Sequence, residues 1–252
     1  MRILFVGDVV GKIGRRMLSD HLTQLKREHH VQLAIVNGEN AAHGKGITTN
    51  TYKEILKSGA DMVTLGNHAF AKREVTELMA TDVKLIRPLN FPPDAPGVGH
   101  KTININGTQV MIINLQGRAF MQSIDCPFRA IDKLLEESEA DLHIVDFHSE
   151  TTSEALAMGY YLDGRVEAVI GTHTHVQTND AMRLDNGTLY ITDVGMTGYR
   201  KGILGIRKDE VINRFITGMP VKHHVPDEGA GILSAVVLDI DKKSIQALQI
   251  KE

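Results

Sequence analysis

Residues 142–175, LHIVDFHSETTSEALAMGYYLDGRVEAVIGTHTH, decide the fold class. The apolar run Leu142 to Val145 ends in Asp146-Phe147-His148, and the segment Thr152 to Leu162 then has the length and apolar spacing of a helix. A second apolar run, Val166 to Ile170, ends in Gly171-Thr172-His173-Thr174-His175. Short continuous apolar runs read as strands buried on both faces, so strand, helix and strand form the repeating unit of an α/β sheet.

The same reading extends in both directions. Ile3 to Val6, Leu33 to Val36 and Met62 to Leu65 are further buried strands, and Arg15 to Glu28, Thr49 to Ser58, Arg73 to Thr81 and Phe128 to Glu137 have helical spacing. Asn106-Gly107 is a hairpin turn joining Thr102 to Ile105 with the run Val110 to Leu115, so the sheet gains an antiparallel pair. A second hairpin is expected across Asp185-Asn186-Gly187. The tail from Ile232 to Ile250 holds two strand-like runs around Asp239 to Lys243, which makes the C-terminal half richer in strands. Arg87 to Gly99, RPLNFPPDAPGVG, is the obvious place for a linker. Polar strand ends lie on both sides of it, so the chain is expected to be one domain, 1–252, with this stretch as a surface excursion or partial lid.

Composition sets the class. Hydrophobic residues at 42% exclude a disordered chain, and 28 Lys and Arg against 31 Asp and Glu leave no broad positive field for nucleic acid or lipid. The N-terminus, MRILFVGDVV, has neither a signal-peptide pattern nor a spanning apolar stretch, so the expected location is the cytoplasm, away from any membrane. One cysteine among 252 residues excludes multi-cysteine metal sites and intrachain disulfides. Cys126 reads as a packed thiol at a helix start marked by Asp125 and Pro127. Any metal must therefore be held by nitrogen and oxygen, and 12 histidines are available.

Five apolar runs end in the same chemistry. Asp8 follows the first, Asn37-Gly38-Glu39-Asn40 the second, and Asn67-His68 the third, and His148 and the pair His173 and His175 close the two runs quoted above. Ligands in open α/β sheets gather beyond the carboxyl ends of the strands, where loops converge on a rigid frame. Carboxylates, imidazoles and asparagine carbonyls suit Mn, Fe or Zn, and more than four candidates point to two ions sharing a carboxylate. Each residue alone has a plainer reading: Asp8 or Asn40 as a cap, Asn67 as a left-handed turn residue. His173 and His175 would share a face if extended, or approach an ion from adjacent directions in a loop. His21, His29, His30 and His100 read as surface residues. GDVVGKIG opens a helix after a strand but has neither nucleotide-loop spacing, so Gly7, Gly11 and Gly14 read as a tight turn beside bound ions. Lys45 and Arg118 are either phosphate contacts or solvated charges.

GDVVGKIGR, NGENAAHGKGIT, TLGNHAF, the block from Asp146 to Thr178 and YITDVGMTG, in this order, resemble the YmdB-like branch of the calcineurin-like metallophosphoesterases. The resemblance implies a four-layer α-β-β-α sandwich of two mixed sheets flanked by helices. It also implies a two-metal centre, a homo-oligomer, and phosphodiesterase activity with 2',3'-cyclic nucleotides as characteristic substrates. Carried over by position, Asp8 and His175 would bind the first metal, with Asn40 supporting it, and Glu39 would bridge both ions. Asn67, His148 and His173 would hold the second. His68 would contact the phosphate or protonate the departing oxygen. The chain departs from the broader superfamily at Val10, where a histidine is usual, and at Glu39-Asn40. It departs from the branch at Ala155, where a lysine often follows the Ser-Glu pair, and at His223-His224.

A phosphodiester resists attack by water, so two metal ions, Fe or Mn first and Zn next, divalent or mixed-valence, are expected to neutralise it and to supply a bridging hydroxide. Alternatives are a phosphomonoesterase using the same site and a regulatory module that binds a nucleotide or protein with weak turnover. A short RNA end is a further candidate substrate, easier to accommodate than a long duplex at a net charge of -3.

Overall fold

The computed structural model describes residues 1–81 and 84–252. In chain order it has β1 (Arg2–Val6), β2 (Asp8–Val9), α1 (Gly11–Glu28), β3 (Leu33–Asn37), α2 (Thr49–Lys57), β4 (Met62–Thr64), α3 (Val75–Met79) and β5 (Leu85–Ile86). There follow β6 (His100–Ile105), β7 (Thr108–Gln116), α4 (Pro127–Glu137), β8 (Leu142–His148), α5 (Thr152–Tyr161) and β9 (Ala168–Thr172). The chain closes with β10 (Met182–Arg183), β11 (Leu189–Ile191), β12 (Met196–Tyr199), α6 (Lys208–Thr217), β13 (Gly231–Asp239) and β14 (Ser244–Lys251).

These strands form two mixed sheets. The eight-stranded sheet runs β2-β12-β13-β1-β3-β4-β5 with β14 along β13, and the six-stranded sheet runs β10-β11-β9-β8-β7-β6. β1, β3, β4 and β5 are parallel, as are β7, β8, β9 and β11, while β13 and β6 run antiparallel to their neighbours.

Alternation along the strands builds the layers. Ile3 and Phe5 of β1 join Leu33, Ile35, Val110, Ile112, Ile144 and Ile170 in a core between the sheets. The intervening Leu4 and Val6 turn outward onto Ile13, Met17, Leu18 and Leu22 of α1 and Ile55 of α2. On the opposite outer face Ile113, Val145 and Val169 pack on Ile131 of α4 and Met158 of α5. The expected four-layer α-β-β-α sandwich of two mixed sheets is the observed architecture, with six α-helices among the described residues.

Near the carboxyl ends of the strands the same face between the sheets turns polar. Asn37, Thr64, Asn114, Gln116, Asp146, His148 and Thr172 continue, by two-residue alternation, the positions of Ile35, Met62, Ile112, Ile144 and Ile170, and all are buried. β7 and β8 therefore extend through Gln116 and His148, further than their apolar runs. β9 is shifted to Ala168–Thr172, so Thr172 is a strand residue and His173 begins the loop.

Two hairpins form as read. Ile105 pairs with Thr108 across Asn106 and Gly107, both at positive φ, and Arg183 pairs with Leu189 across the 185–187 turn. α1 begins at Gly11, earlier than the expected Arg15, because Gly14 is a packing residue rather than part of a turn: a Cβ there would lie 2.2 Å from the Thr197 carbonyl oxygen. α3 is shorter than read. β2, β5, β12 and α6 have no counterpart in the sequence reading.

The 87–99 stretch carries the chain from the first sheet to the second. It is organised by Arg87, which is buried and donates to the carbonyls of Pro88 at 2.8 Å, Ala95 at 3.1 Å, and Leu89 and Gly97 at 3.3 Å.

Candidate metal centre

The strand ends bring Asp8, Glu39, Asn40, Asn67, His148, His173 and His175 into one connected group. His148 Nε2 lies 3.2 Å from Glu39 Oε1, 3.0 Å from Asn67 Oδ1 and 3.0 Å from His173 Nδ1. Glu39, His148 and His173 can each offer one ligand atom within 4.8 Å of the others. On the other side of Glu39, Asn40 Nδ2 donates to Glu39 Oε1 at 3.1 Å and lies 3.2 Å from His175 Nε2, which is 3.6 Å from Asp8 Oδ2. The His173 backbone N–H donates to Asp8 Oδ2 at 2.9 Å and joins the two halves.

Each imidazole is anchored by the nitrogen that faces away from the group. The Thr172 hydroxyl donates to Asp146 Oδ1 at 2.7 Å, so it accepts from His148 Nδ1 at 2.8 Å and directs His148 Nε2 inward. His173 Nε2 is 2.8 Å from Glu150 Oε2, which leaves Nδ1 inward. His175 Nδ1 donates to the Leu204 carbonyl at 3.1 Å, which leaves Nε2 toward Asp8. The strand-or-loop question for His173 and His175 is answered by the backbone: both are in a loop at positive φ, 108° and 67°. Such conformations persist where the surroundings over-determine them. Here the Thr174 N–H and hydroxyl donate to Asp193 Oδ2 at 2.7 and 2.8 Å, pinning the residue between the two histidines.

The group fits a cation on several counts. Asp8 is fully buried and its Oδ1 has no hydrogen-bond partner. A Cβ on Gly66 would lie 2.3 Å from Glu39 Oε2 and 2.4 Å from His148 Nε2, so only glycine keeps the cradle open. The electrostatics agree. Burial alone would lower the His148 imidazole, but Glu39, Asp8 and Asp146 hold it up to about 9. Burial raises Glu39, yet His148 brings it down to about 2. Asp8 is raised well above the carboxylate range by burial, then by Glu39 and Asp193. Burial, with His148 nearby, pushes His173 down to about 3. So many converging carboxylates demand positive charge at this point.

His68 takes no part in these contacts through its side chain. Its backbone N–H donates to Glu39 Oε2 at 3.2 Å, while its side chain lines an adjacent cavity with Asn67 and Lys45. Burial, opposed by Glu39, lowers its pKa. Lys45 is exposed at that cavity. Arg118 is exposed too, and its backbone N–H is held by Glu154 at 3.0 Å. His223 and His224 contact Arg214 and Glu210. His100 differs from the surface reading, being half-buried with Nδ1 unpartnered, and burial lowers it. Cys126 is the partly buried N-cap of α4, with Pro127 as the first helical residue.

Sequence reasoning missed Glu150, Asp193, Gly66 and the Leu204 carbonyl. Glu150 follows His148 by two residues and Asp193 lies in YITDVGMTG, so both had a positional signal. A carbonyl carries none.

The family model described as "YmdB-like protein" matches residues 4–252. A Bacillus subtilis protein named 2',3'-cyclic-nucleotide 2'-phosphodiesterase is 48% identical over 253 residues, covering 100% of this chain and 96% of that protein. A solved structure of a hypothetical protein from Thermus thermophilus superposes with a TM-score of 0.95 at 42% identity and covers 100% of both chains. A Mycoplasma pneumoniae structure described as a novel phosphatase gives 0.93 at 34% identity, covering 100% of this chain and 94% of that one. The chain belongs to the YmdB-like family of the metallophosphoesterase superfamily.

Proposed function

We propose that the protein is a two-metal phosphodiesterase acting on small phosphodiesters, 2',3'-cyclic nucleotides in particular, with residues 1–252 as one catalytic domain. The observation that carries this reading is the set of three imidazoles anchored outward by Thr172, Glu150 and the Leu204 carbonyl, with their free nitrogens turned toward Glu39 and Asp8. Asp8 and His175, supported by Asn40, would hold one ion, Asn67, His148 and His173 the other, and Glu39 would bridge them. When bound, two divalent or mixed-valence ions, Fe or Mn first and Zn next, supply charge neutralisation at the phosphoryl oxygens and a more acidic water.

The remaining chemistry belongs to side chains of this chain. Thr172, Glu150 and Leu204 fix ring orientation, so little reorganisation is needed when substrate arrives. His68 lies at the border between the ligand group and the cavity, where its imidazole can pass a proton to the departing ester oxygen. Lys45 at the same cavity supplies a cation for the substrate's phosphate. The name of the Bacillus subtilis relative supports a cyclic nucleotide as substrate, and a short RNA ending in a cyclic phosphate offers the same reacting group. Among the described residues no helix is long and apolar enough to cross a membrane. Cytoplasmic residence and a homo-oligomer complete the reading.

The test is a panel of phosphodiesters and phosphomonoesters offered to metal-reconstituted wild type, Asp8→Asn and His68→Ala. Wild type should hydrolyse diesters. His68→Ala should lose on the order of 10²- to 10⁴-fold in kcat with its Tm near wild type, and Asp8→Asn should lose more. Turnover indifferent to both substitutions would sink the mechanism. Hydrolysis of monoesters alone would reverse the substrate assignment, and metal binding without turnover would favour a binding module.

A further inference from the structure

A cavity of about 480 Å3 opens directly beside the candidate metal centre. Asn67 and His68 belong to both, since Asn67 Oδ1 touches His148 and the His68 N–H touches Glu39, while both residues line the cavity. Away from that border the lining changes character. Phe70 and Phe91, with ring centroids 5.8 Å apart and planes tilted by 42°, form an apolar wall continued by Ile124. One exposed carboxamide, Gln122, and one exposed ammonium, Lys45, complete it.

The walls are held rigidly. Phe91 sits in the 87–99 stretch whose carbonyls converge on buried Arg87. Asn90 next to it donates to the Asp125 carbonyl at 2.9 Å and to the Gln116 carbonyl at 2.8 Å, and the Asp125 N–H returns a bond to the Asn90 carbonyl at 3.2 Å. These bonds clip the segment carrying Gln122 and Ile124 to the segment carrying Phe91. The cavity is thus built by the fold before any ligand arrives, and its volume lies within the roughly 300–1,000 Å3 common for small-molecule sites.

We propose that this cavity is the nucleobase subsite of the substrate, a conclusion that rests on the phosphodiesterase reading above. A flat π-surface suits the aromatic wall, the Gln122 amide can donate to and accept from a base edge, and the ribose phosphate is then placed at Asn67, His68 and Lys45. A lipid tail would leave Gln122 and Lys45 without partners, and a stacked duplex cannot present one base to so small a space. The occupant of the cavity is then the base of a single unstacked nucleoside, free or as the last residue of a short strand.

The experiment compares kcat/KM for adenosine 2',3'-cyclic phosphate with that for ribose 2',3'-cyclic phosphate, which lacks the base, in wild type, Phe70→Ala and Gln122→Ala. Saturation-transfer NMR with adenosine alone, on the same proteins, provides a readout independent of turnover. Wild type should prefer the nucleotide by about 5- to 150-fold, the range expected for stacking one base. Phe70→Ala should bring that ratio toward one and abolish the adenosine signal. Gln122→Ala, at an exposed position, should reduce the preference for the adenosine nucleotide even if Phe70→Ala folds poorly. Equal rates with and without the base, or an adenosine signal unchanged in both variants, overturns the subsite. Hydrolysis of no diester, while adenosine binds wild type and loses its signal in Phe70→Ala, upholds the subsite and overturns the phosphodiesterase reading alone.

Discussion

Thr172 shows how one hydroxyl decides the state of a neighbouring ring. Its hydrogen is committed to Asp146, so only its lone pair faces His148 Nδ1, which donates to it, and His148 Nε2 is left facing the centre. Replacing Thr172 by valine keeps the shape and removes the acceptor. Metal affinity should fall about 10- to 100-fold by calorimetric titration, and Thr172→Ser should recover it; an unchanged affinity in Thr172→Val would rule the role out. Residues of this kind differ in legibility. Asp8, Glu39, Asn67 and the three histidines proposed as ligands stand out because charged, amide or imidazole side chains recur directly after several buried apolar runs. Glu150 and Asp193 carry only the signal of their position, since an acidic residue in a loop is ordinarily solvated. Gly66 matters only through the space it leaves between Glu39, in the turn after β3, and His148, at the end of β8.

At the scale of elements, the buried strands were readable as short continuous apolar runs, α1, α2 and α4 by a stripe of apolar residues at helical spacing, and α5 by its length between two such runs. α6 buries only Val211, and β2 and β12 are two and four residues long and pair with each other across most of the chain. No local pattern announces such pieces. The end of β14 is tied down by Glu252, which accepts from Arg16 Nη2 at 2.6 Å and from the Gly231 N–H at 2.9 Å. Arg16 first, then Gly231, lowers the Glu252 pKa below its ordinary 4.5. A carboxyl whose folded pKa is depressed contributes stability above its unfolded pKa and loses it as pH falls through the lower folded value. Glu252→Gln should therefore have a lower Tm than wild type at pH 7, with the gap closing as pH is taken below 4.5. A gap that stays constant with pH would exclude the ionised carboxylate as its source. The effect should be small and should shrink in salt, because the pair is largely exposed.

On the scale of the whole molecule, the polar ends of β3, β4, β7, β8 and β9 lie between two sheets, where water cannot screen them. Asp146 and Asp193 are both pushed up to about 6 by burial, beside an already raised Asp8. A cation bound only by the folded state should stabilise it by mass action, about 2.7 kcal/mol at a free concentration one hundred times Kd. Thermal unfolding of chelator-treated protein, followed by stepwise addition of Mn, should show Tm rising with concentration; a Tm independent of metal would count against the centre. By itself the sequence determined the α/β class, most of the buried strands, and the residue types that carry chemistry, because these are properties of local period and side-chain composition. Only the tertiary structure decided which imidazole nitrogen faces inward, why Gly66 has no side chain, and that an aromatic cavity lies beside His68. Those depend on groups far apart in the chain meeting within hydrogen-bond distance, which the packing of the two sheets alone brings about.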